Sequence, residues 1–238
     1  SGKSSLFNAL TGLNQKIGNF PGITVDKRSG VTSLSNNQQA DIIDLPGIYS
    51  LYPRTLDEKI VAEIFADKKG ANYPNYVVLV ADATNLKNCM LLLTQLMDLK
   101  LPVVLALNMM DLAAKSGQSI DVQELSASLD LPVVMINARN GHGIQELKKV
   151  LTEEIAPSRK SVFQIGAEIK PLVKKIKEKF QLSTDYEAYH FLQQTDNLVF
   201  LTDEERGFIV EQSKAEKFFP HKYQGAETIM RYGFIQDL

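Results

Sequence analysis

Three short, continuous apolar runs, Tyr76–Asp82, Val103–Leu107 and Val133–Ile136, each stop at a polar loop. Runs of that length without alternation are the pattern of parallel strands buried on both faces. A helix reads from about Leu86 to Leu99 between the first two, and Asp121-Val122-Gln123-Glu124 fits a helix start before the third. Strands alternating with helices make an open α/β sheet, and such sheets bind ligands beyond the carboxyl ends of their strands. The polar loops are therefore where function is expected.

The residues in those loops are specific. Ser1-Gly2-Lys3-Ser4-Ser5 precedes the amphipathic stretch Leu6–Leu10 and matches the last positions of G-x-x-x-x-G-K-[ST] and the helix it opens. Successive amides at such a turn point into one concavity, and the helix dipole favours an anion there. Lys3 would neutralise the β- and γ-phosphates, and the Ser4 hydroxyl would ligate Mg²⁺. The first glycine of the motif and the strand before it would lie ahead of Ser1, so the sequence reads as cropped.

Val31–Leu34 and Asp41–Asp44 read as two strands around the polar turn Ser35–Gln39, the second ending in Asp44-Leu45-Pro46-Gly47. Asp44 at a strand end can hold a Mg²⁺-bound water, and the Gly47 amide can meet a γ-phosphate. After the second apolar run comes Asn108-Met109-Met110-Asp111. The Asp111 carboxylate can accept both the N1 and N2 protons of guanine, which adenine cannot supply, and Asn108 would brace the base-binding loops. After the third comes Asn137-Ala138-Arg139, where the Ala138 amide could donate to the guanine O6. The series points to GTP as ligand and substrate.

With 238 residues, 26 Lys+Arg and 28 Asp+Glu, the chain has a formal charge of -2, which gives no electrostatic case for a nucleic-acid partner. One cysteine, Cys89, excludes a disulfide framework and fits a reducing cytoplasm. No apolar run approaches the roughly 20 residues of a membrane helix, and no secretory signal opens the chain. His142, His190 and His221 lack metal-ligand spacing and are expected in surface or capping roles, with Cys89 facing the core.

Taken together, the motifs resemble the cytoplasmic GTPase region of the ferrous iron transport protein B family. The resemblance rests on Gly2-Lys3-Ser4-Ser5-Leu6-Phe7-Asn8-Ala9-Leu10-Thr11-Gly12, Gly18-Asn19-Phe20-Pro21-Gly22-Ile23-Thr24-Val25 and Asp44-Leu45-Pro46-Gly47-Ile48-Tyr49-Ser50-Leu51. Asp82-Ala83-Thr84-Asn85-Leu86 and Asn108-Met109-Met110-Asp111 complete it. It implies a P-loop NTPase, a Ras-like G domain with a doubly wound, mostly parallel sheet over residues 1–157, followed by a small all-helical domain over 158–238. By the same resemblance, Thr24 ligates Mg²⁺ with Ser4 and, through water, Asp44. Ile17–Arg28 would be switch I, its Pro21, Gly22 and Ile23 near the nucleotide, and Gly47 to about Glu58 switch II.

Met109 stands where many GTPases place a lysine over the base, and its thioether can supply that apolar contact uncharged. Lys3, Thr24 and Gly47 would carry catalysis. Ile48 replaces the glutamine that orients water in Ras-like enzymes, so hydrolysis should be slow, and several family members use K⁺ as an activator. The resemblance further implies a transmembrane iron-permease portion of the same polypeptide, small accessory cytoplasmic proteins, self-association, and a place on the cytoplasmic face of the bacterial inner membrane. Two other readings stand beside it: a soluble GTPase of the ribosome-assembly or RNA-modification type, and a nucleotide-binding interaction module with negligible hydrolysis.

Beyond Pro157-Ser158 no strand pattern appears. Ile165, Ile169, Leu172, Ile176 and Phe180 trace one helical face, with Pro171 expected to kink or divide it, and Lys170, Lys174, Lys175, Lys177 and Lys179 crowd the rest. That charge run reads as a solvated face rather than a partner or headgroup site. Thr202-Asp203-Glu204-Glu205 opens a helix to about Lys214, and Gln224–Leu238, with its Arg231-Tyr232 pair, reads as the last one.

Overall fold

The computed structural model describes residues 2–12, 15–20 and 25–238. The chain packs as two compact units, one formed by Ser1–Gly47, Asn75–Met90 and Pro102–Arg159, the other by Ile48–Pro74, Leu91–Leu101 and Lys160–Leu238. The second unit thus takes two segments from ahead of residue 157.

The strands of the first unit form two sheets. β1 (Gln15–Asn19), β2 (Asp26–Ser33) and β3 (Gln39–Asp44) pair antiparallel in that order. β4 (Val77–Asp82), β5 (Val103–Asn108) and β6 (Val133–Met135) pair parallel. Connection length explains the division: a tight turn can only reverse a strand, while a parallel return needs a crossover of a dozen or more residues. α3 (Lys87–Asp98) supplies the first crossover, and α4 (Met110–Lys115) with α5 (Val122–Leu129) the second. The expected mostly parallel sheet is therefore the β4–β6 half. Of its three strands only β5 is buried throughout; β4 is half-exposed along most of its length because, among the described residues, it pairs on one edge alone.

α1 (Lys3–Thr11) and α6 (Ile144–Val150) cover β5 and β6. Leu6 and Leu10 of α1 pack with Val104, Ala106, Val134, Ile136, Ile144 and Leu147 in one apolar cluster. This packing sets the first turn of α1 at the same sheet edge as the ends of β5 and β6.

The second unit is helical: α2 (Leu56–Ala66), α7 (Lys170–Phe180), α8 (Asp185–Gln194), α9 (Asp203–Ala215) and α10 (Pro220–Gln236), with the end of α3. Thr55 and Glu58 form a capping box at α2, Thr202 and Glu205 another at α9, each satisfying two amides that the first helical turn leaves unpaired. Pro171 lies in the first turn of α7 rather than kinking it, since its missing N–H costs nothing there. The helix therefore begins at Lys170, later than the apolar spacing from Ile165 suggested. The lysines of α7 are mostly exposed, and Lys177 pairs with Asp185 at 2.8 Å.

α8, which no sequence signal singled out, is the centre of this unit. Tyr186 through Leu192 are all buried. His190 lies inside the helical core rather than on the surface, where burial pushes its imidazole down to about 4 against a hydrogen bond with the Ala62 backbone. Around α8 runs a buried polar network. Arg231 of α10 donates to Glu227 and to Asp98, each at 2.7 Å. Asp98 also accepts the amides of Val162 and Phe163 and the Ser161 hydroxyl, and Glu227 accepts the hydroxyls of Tyr52 and Tyr186. Burial pushes Glu227 up to about 7, with the Arg231 charge opposing it.

Candidate functional site

Asn108 is where the loops of the first unit meet. It ends β5, is 4% exposed, and its side-chain oxygen accepts the Ala138 amide at 3.2 Å. Gly2, at φ 80, lies against the Asn108 amide nitrogen so closely that a Cβ there would collide with it. The left-handed backbone and the lack of room both call for glycine. The start of α1, the end of β5 and the loop after β6 are thus joined through one side chain.

The first turn of α1 begins at Gly2 with no side-chain cap and no acidic residue. Its amides remain available to an anion, which the helix dipole favours. Ser4 and Ser5 are exposed on that turn. Lys3 Nζ donates to the Asp44 carboxylate at the end of β3, Asp44 being 8% exposed and Lys3 36%. This contact brings the antiparallel sheet to the same place. Gly47 is exposed three residues on, with open space where a side chain would project.

The residues expected to read the base lie on the loops after β5 and β6. Met109 adopts φ 63 at the start of α4, and Asp111 is exposed in the first turn of that helix. The loop after β6 closes on itself. Asn137 accepts the Arg139 and Asn140 amides on its side chain, and its own amide donates to the His142 carbonyl at 2.9 Å. Gly143, at φ 76, passes the Met135 carbonyl with no space for a Cβ. This loop holds the Ala138 amide in position while Arg139 stays exposed. Asp82, level with Asn108 across the β4–β5 ladder, accepts the amide and hydroxyl of Thr84 and so caps the turn into α3.

The glycine-, asparagine- and carboxylate-bearing loops of both sheets match a known pattern along most of the chain. The family described as ferrous iron transport protein B matches over residues 1–151. The chain belongs to this family. It is 37% identical over 194 residues to the Fe(2+) transporter FeoB of Leptospira biflexa, covering 81% of this chain and 27% of that protein. The chain therefore spans about a quarter of the length of the curated relative. Among solved structures it is similar to the cytosolic domain of L. pneumophila FeoB, with 30% identity, TM-score 0.79, 99% of this chain and 94% of that one covered. It is also similar to the cytosolic domain of T. maritima FeoB in GMPPNP form, with 27% identity, TM-score 0.69 and the same coverages. The fold is that of a P-loop NTPase followed by a helical region.

Of the residues expected at a FeoB nucleotide site, Gly2, Asn108 and Ala138 meet in one group and Lys3 and Asp44 in another. Ser4, Ser5, Gly47, Met109, Asp111, Asn137 and Arg139 lie on the loops and turns that carry them. Ser1, Pro21, Gly22, Ile23 and Thr24 lie outside the described residues. Sequence patterns missed Tyr52, Asp98, Tyr186 and Glu227. The available signal was Glu227 and Arg231, an opposite-charge i,i+4 pair alone in an otherwise uncharged stretch from Tyr223 to Gln236.

Cys89 is half-buried; its thiol donates to the Leu86 carbonyl, and burial pushes it up to about 12, so it stays an inert thiol. Among the described residues no three His, Cys, Asp or Glu side chains could together hold a metal ion, and no helix is long and apolar enough to cross a membrane.

Proposed function

We propose that this chain is the GTP-binding and GTP-hydrolysing region of a ferrous iron transporter. Residues 1–157 carry the nucleotide chemistry, and 158–238 form a helical domain toward a membrane-embedded permease portion of the same polypeptide, on the cytoplasmic side. The observation that carries this reading is the meeting of Gly2, Asn108 and Ala138 with the Lys3–Asp44 pair beside them. Membership in a family with a relative solved in GMPPNP form supports it.

Each residue then has a physical task. The α1 amides take the phosphates, and Lys3 exchanges the Asp44 carboxylate for phosphate oxygens, a substitution of one anion for another that leaves its charge paired. Mg²⁺ suits the donors present, since the exposed Ser4 hydroxyl and the Asp44 carboxylate are hard oxygen ligands; when bound it would neutralise charge on the phosphates. Thr24 would join them. Asp111 accepts the two guanine protons, Ala138 donates to O6, Met109 lies along the base, and Asn108 keeps these loops in register.

In hydrolysis, water attacks the γ-phosphorus and the bond to the β-bridging oxygen breaks, giving GDP and phosphate. The Gly47 amide donates to the γ-phosphate in that step. Ile48 offers no hydrogen bond to the water, so turnover is slow and potassium is the activator to test, by comparing turnover in K⁺ and Na⁺. A soluble RNA-associated GTPase is not favoured.

The decisive experiment measures GTP and XTP binding by the chain and by Asp111→Asn. The substitution should weaken GTP by about 100-fold, two hydrogen bonds to a charged group being lost, and strengthen XTP. Unchanged preference for GTP would overturn the base-reading assignment.

A further inference from the structure

Asp82-Ala83-Thr84-Asn85 follows β4 as Asn108-Met109-Met110-Asp111 follows β5, and the two strand ends are level, with Asp82 opposite Asn108 in the ladder. The Asp111 carboxylate stands on α4, which is a weak support. That helix has six residues, of which Ala113 alone is buried. A helix so short has no stability of its own, and one buried alanine adds little apolar burial to hold it. The position of Asp111 therefore comes from what α4 lies against.

The element packed on α4 is the 3₁₀ turn Ala83–Asn85. Its buried residue is Ala83, 3% exposed, as that of α4 is Ala113, 1% exposed. Side chains this small let the two turns approach closely. The 3₁₀ turn is itself held by one carboxylate oxygen: Asp82 Oδ1 accepts the Thr84 amide at 3.0 Å and the Thr84 hydroxyl at 2.6 Å. The chain leaving α4 returns to the same place. There the Gln118 backbone amide donates to the Ala113 carbonyl at 3.0 Å, and the Gln118 side chain reaches the Thr84 carbonyl at 3.5 Å.

We propose that Asp82 and Thr84 are positioning residues for guanine recognition: the capped turn supports α4 and sets where the Asp111 carboxylate meets the base. Asn108 holds one base-reading group, the Ala138 amide, and its neighbour across the ladder holds the other. The inference rests on Asp111 reading the guanine N1 and N2 protons. A carboxylate that accepts two protons at once tolerates less displacement than one accepting a single proton. Loss of the cap therefore falls on discrimination between bases, while the α1 amides keep their hold on the phosphates.

Guanosine and inosine diphosphates differ by the 2-amino group alone, so the ratio of their affinities, measured by calorimetry, reports the paired hydrogen bonds to Asp111. The chain should prefer GDP by about 10–100-fold, the worth of one hydrogen bond to a charged group. Asp82→Ala should cut that preference by about fivefold, the size of a lost cap. Asp82→Asn, whose side-chain oxygen can accept the same two bonds, should keep it. Thr84→Val should lower the preference and Thr84→Ser should preserve it; this pair carries the test if Asp82→Ala does not fold. In an Asp111→Asn background, Asp82→Ala should leave the ratio unchanged, because the group it positions is gone. Equal weakening of both nucleotides by Asp82→Ala or Thr84→Val is what a purely structural role gives, and it overturns the proposal. So does an equal loss of preference in Asp82→Ala and Asp82→Asn. A ratio that Asp111→Asn itself does not change refutes the base-reading assignment instead, so the two failures are distinct.

Discussion

Lys3 with Asp44 in the first unit, and Arg231 with Asp98 and Glu227 in the second, are both cation–carboxylate clusters, but water reaches only one of them. Lys3 keeps 36% of its side chain exposed, whereas Arg231 and Asp98 keep none. A pair whose cation stands at the solvent boundary contributes less to stability than a fully buried one, because that cation is hydrated when the two separate. It can therefore be opened by a ligand. A fully buried pair is the reverse: neither member can be left alone, so the network acts as a fixed joint among α3, α8, α10 and the segment that holds Tyr52. The first cluster is suited to exchange partners, the second to keep them.

The largest expected effect tests the buried cluster. Arg231→Met leaves Asp98 and Glu227 as uncompensated buried carboxylates and should cost about 3–5 kcal/mol, measured by urea unfolding; a loss under 1 kcal/mol would mean that water enters the network. Acid should expose a second buried group. His190 is held at about 4 in the folded chain against about 6.5 unfolded, so the unfolded state takes up the proton first as pH falls. Stability from this group is intact above pH 6.5 and is lost between 6.5 and 4, by at most about 3 kcal/mol. His190→Gln should flatten that part of the pH–stability profile, and the difference between the two profiles isolates His190 from Glu227, whose raised pKa acts with the opposite sign. Lys3→Ala sharpens the contrast from the other side. It should change stability by less than about 1 kcal/mol while reducing GTP affinity by roughly 100-fold, as read by calorimetry and denaturation on the same protein. The smallest effect belongs to Thr55→Ala, which removes one half of the α2 capping box and should lower stability by about 1 kcal/mol.

The candidate site was legible because its motifs are local. Gly2-Lys3-Ser4, Asp44-x-x-Gly47 and Asn108-x-x-Asp111 each sit within a few residues on one turn, and the apolar runs before them announce the strands they end. The capping box at Thr202 was equally readable, being hydrogen bonds over three residues. What escaped was long-range. Tyr52 and Glu227 meet across 175 residues, and Arg231 and Asp98 across 133. α8 carries tyrosine, histidine, glutamate and glutamine among its buried residues, so it shows no apolar stripe. His190 could not be told from a surface histidine because its neighbours in sequence are polar while its neighbours in space are not.

The sequence by itself determined the sheet edge and the residues that stand on it, because strand periodicity, turn chemistry and phosphate-loop spacing all act over a handful of residues. Only the tertiary structure decided that Ile48–Pro74 and Leu91–Leu101 pack with the helices, that Asn108 joins three loops, and that α10 hides its charges. Those outcomes depend on which surfaces exclude water together, and no local preference of the chain encodes that.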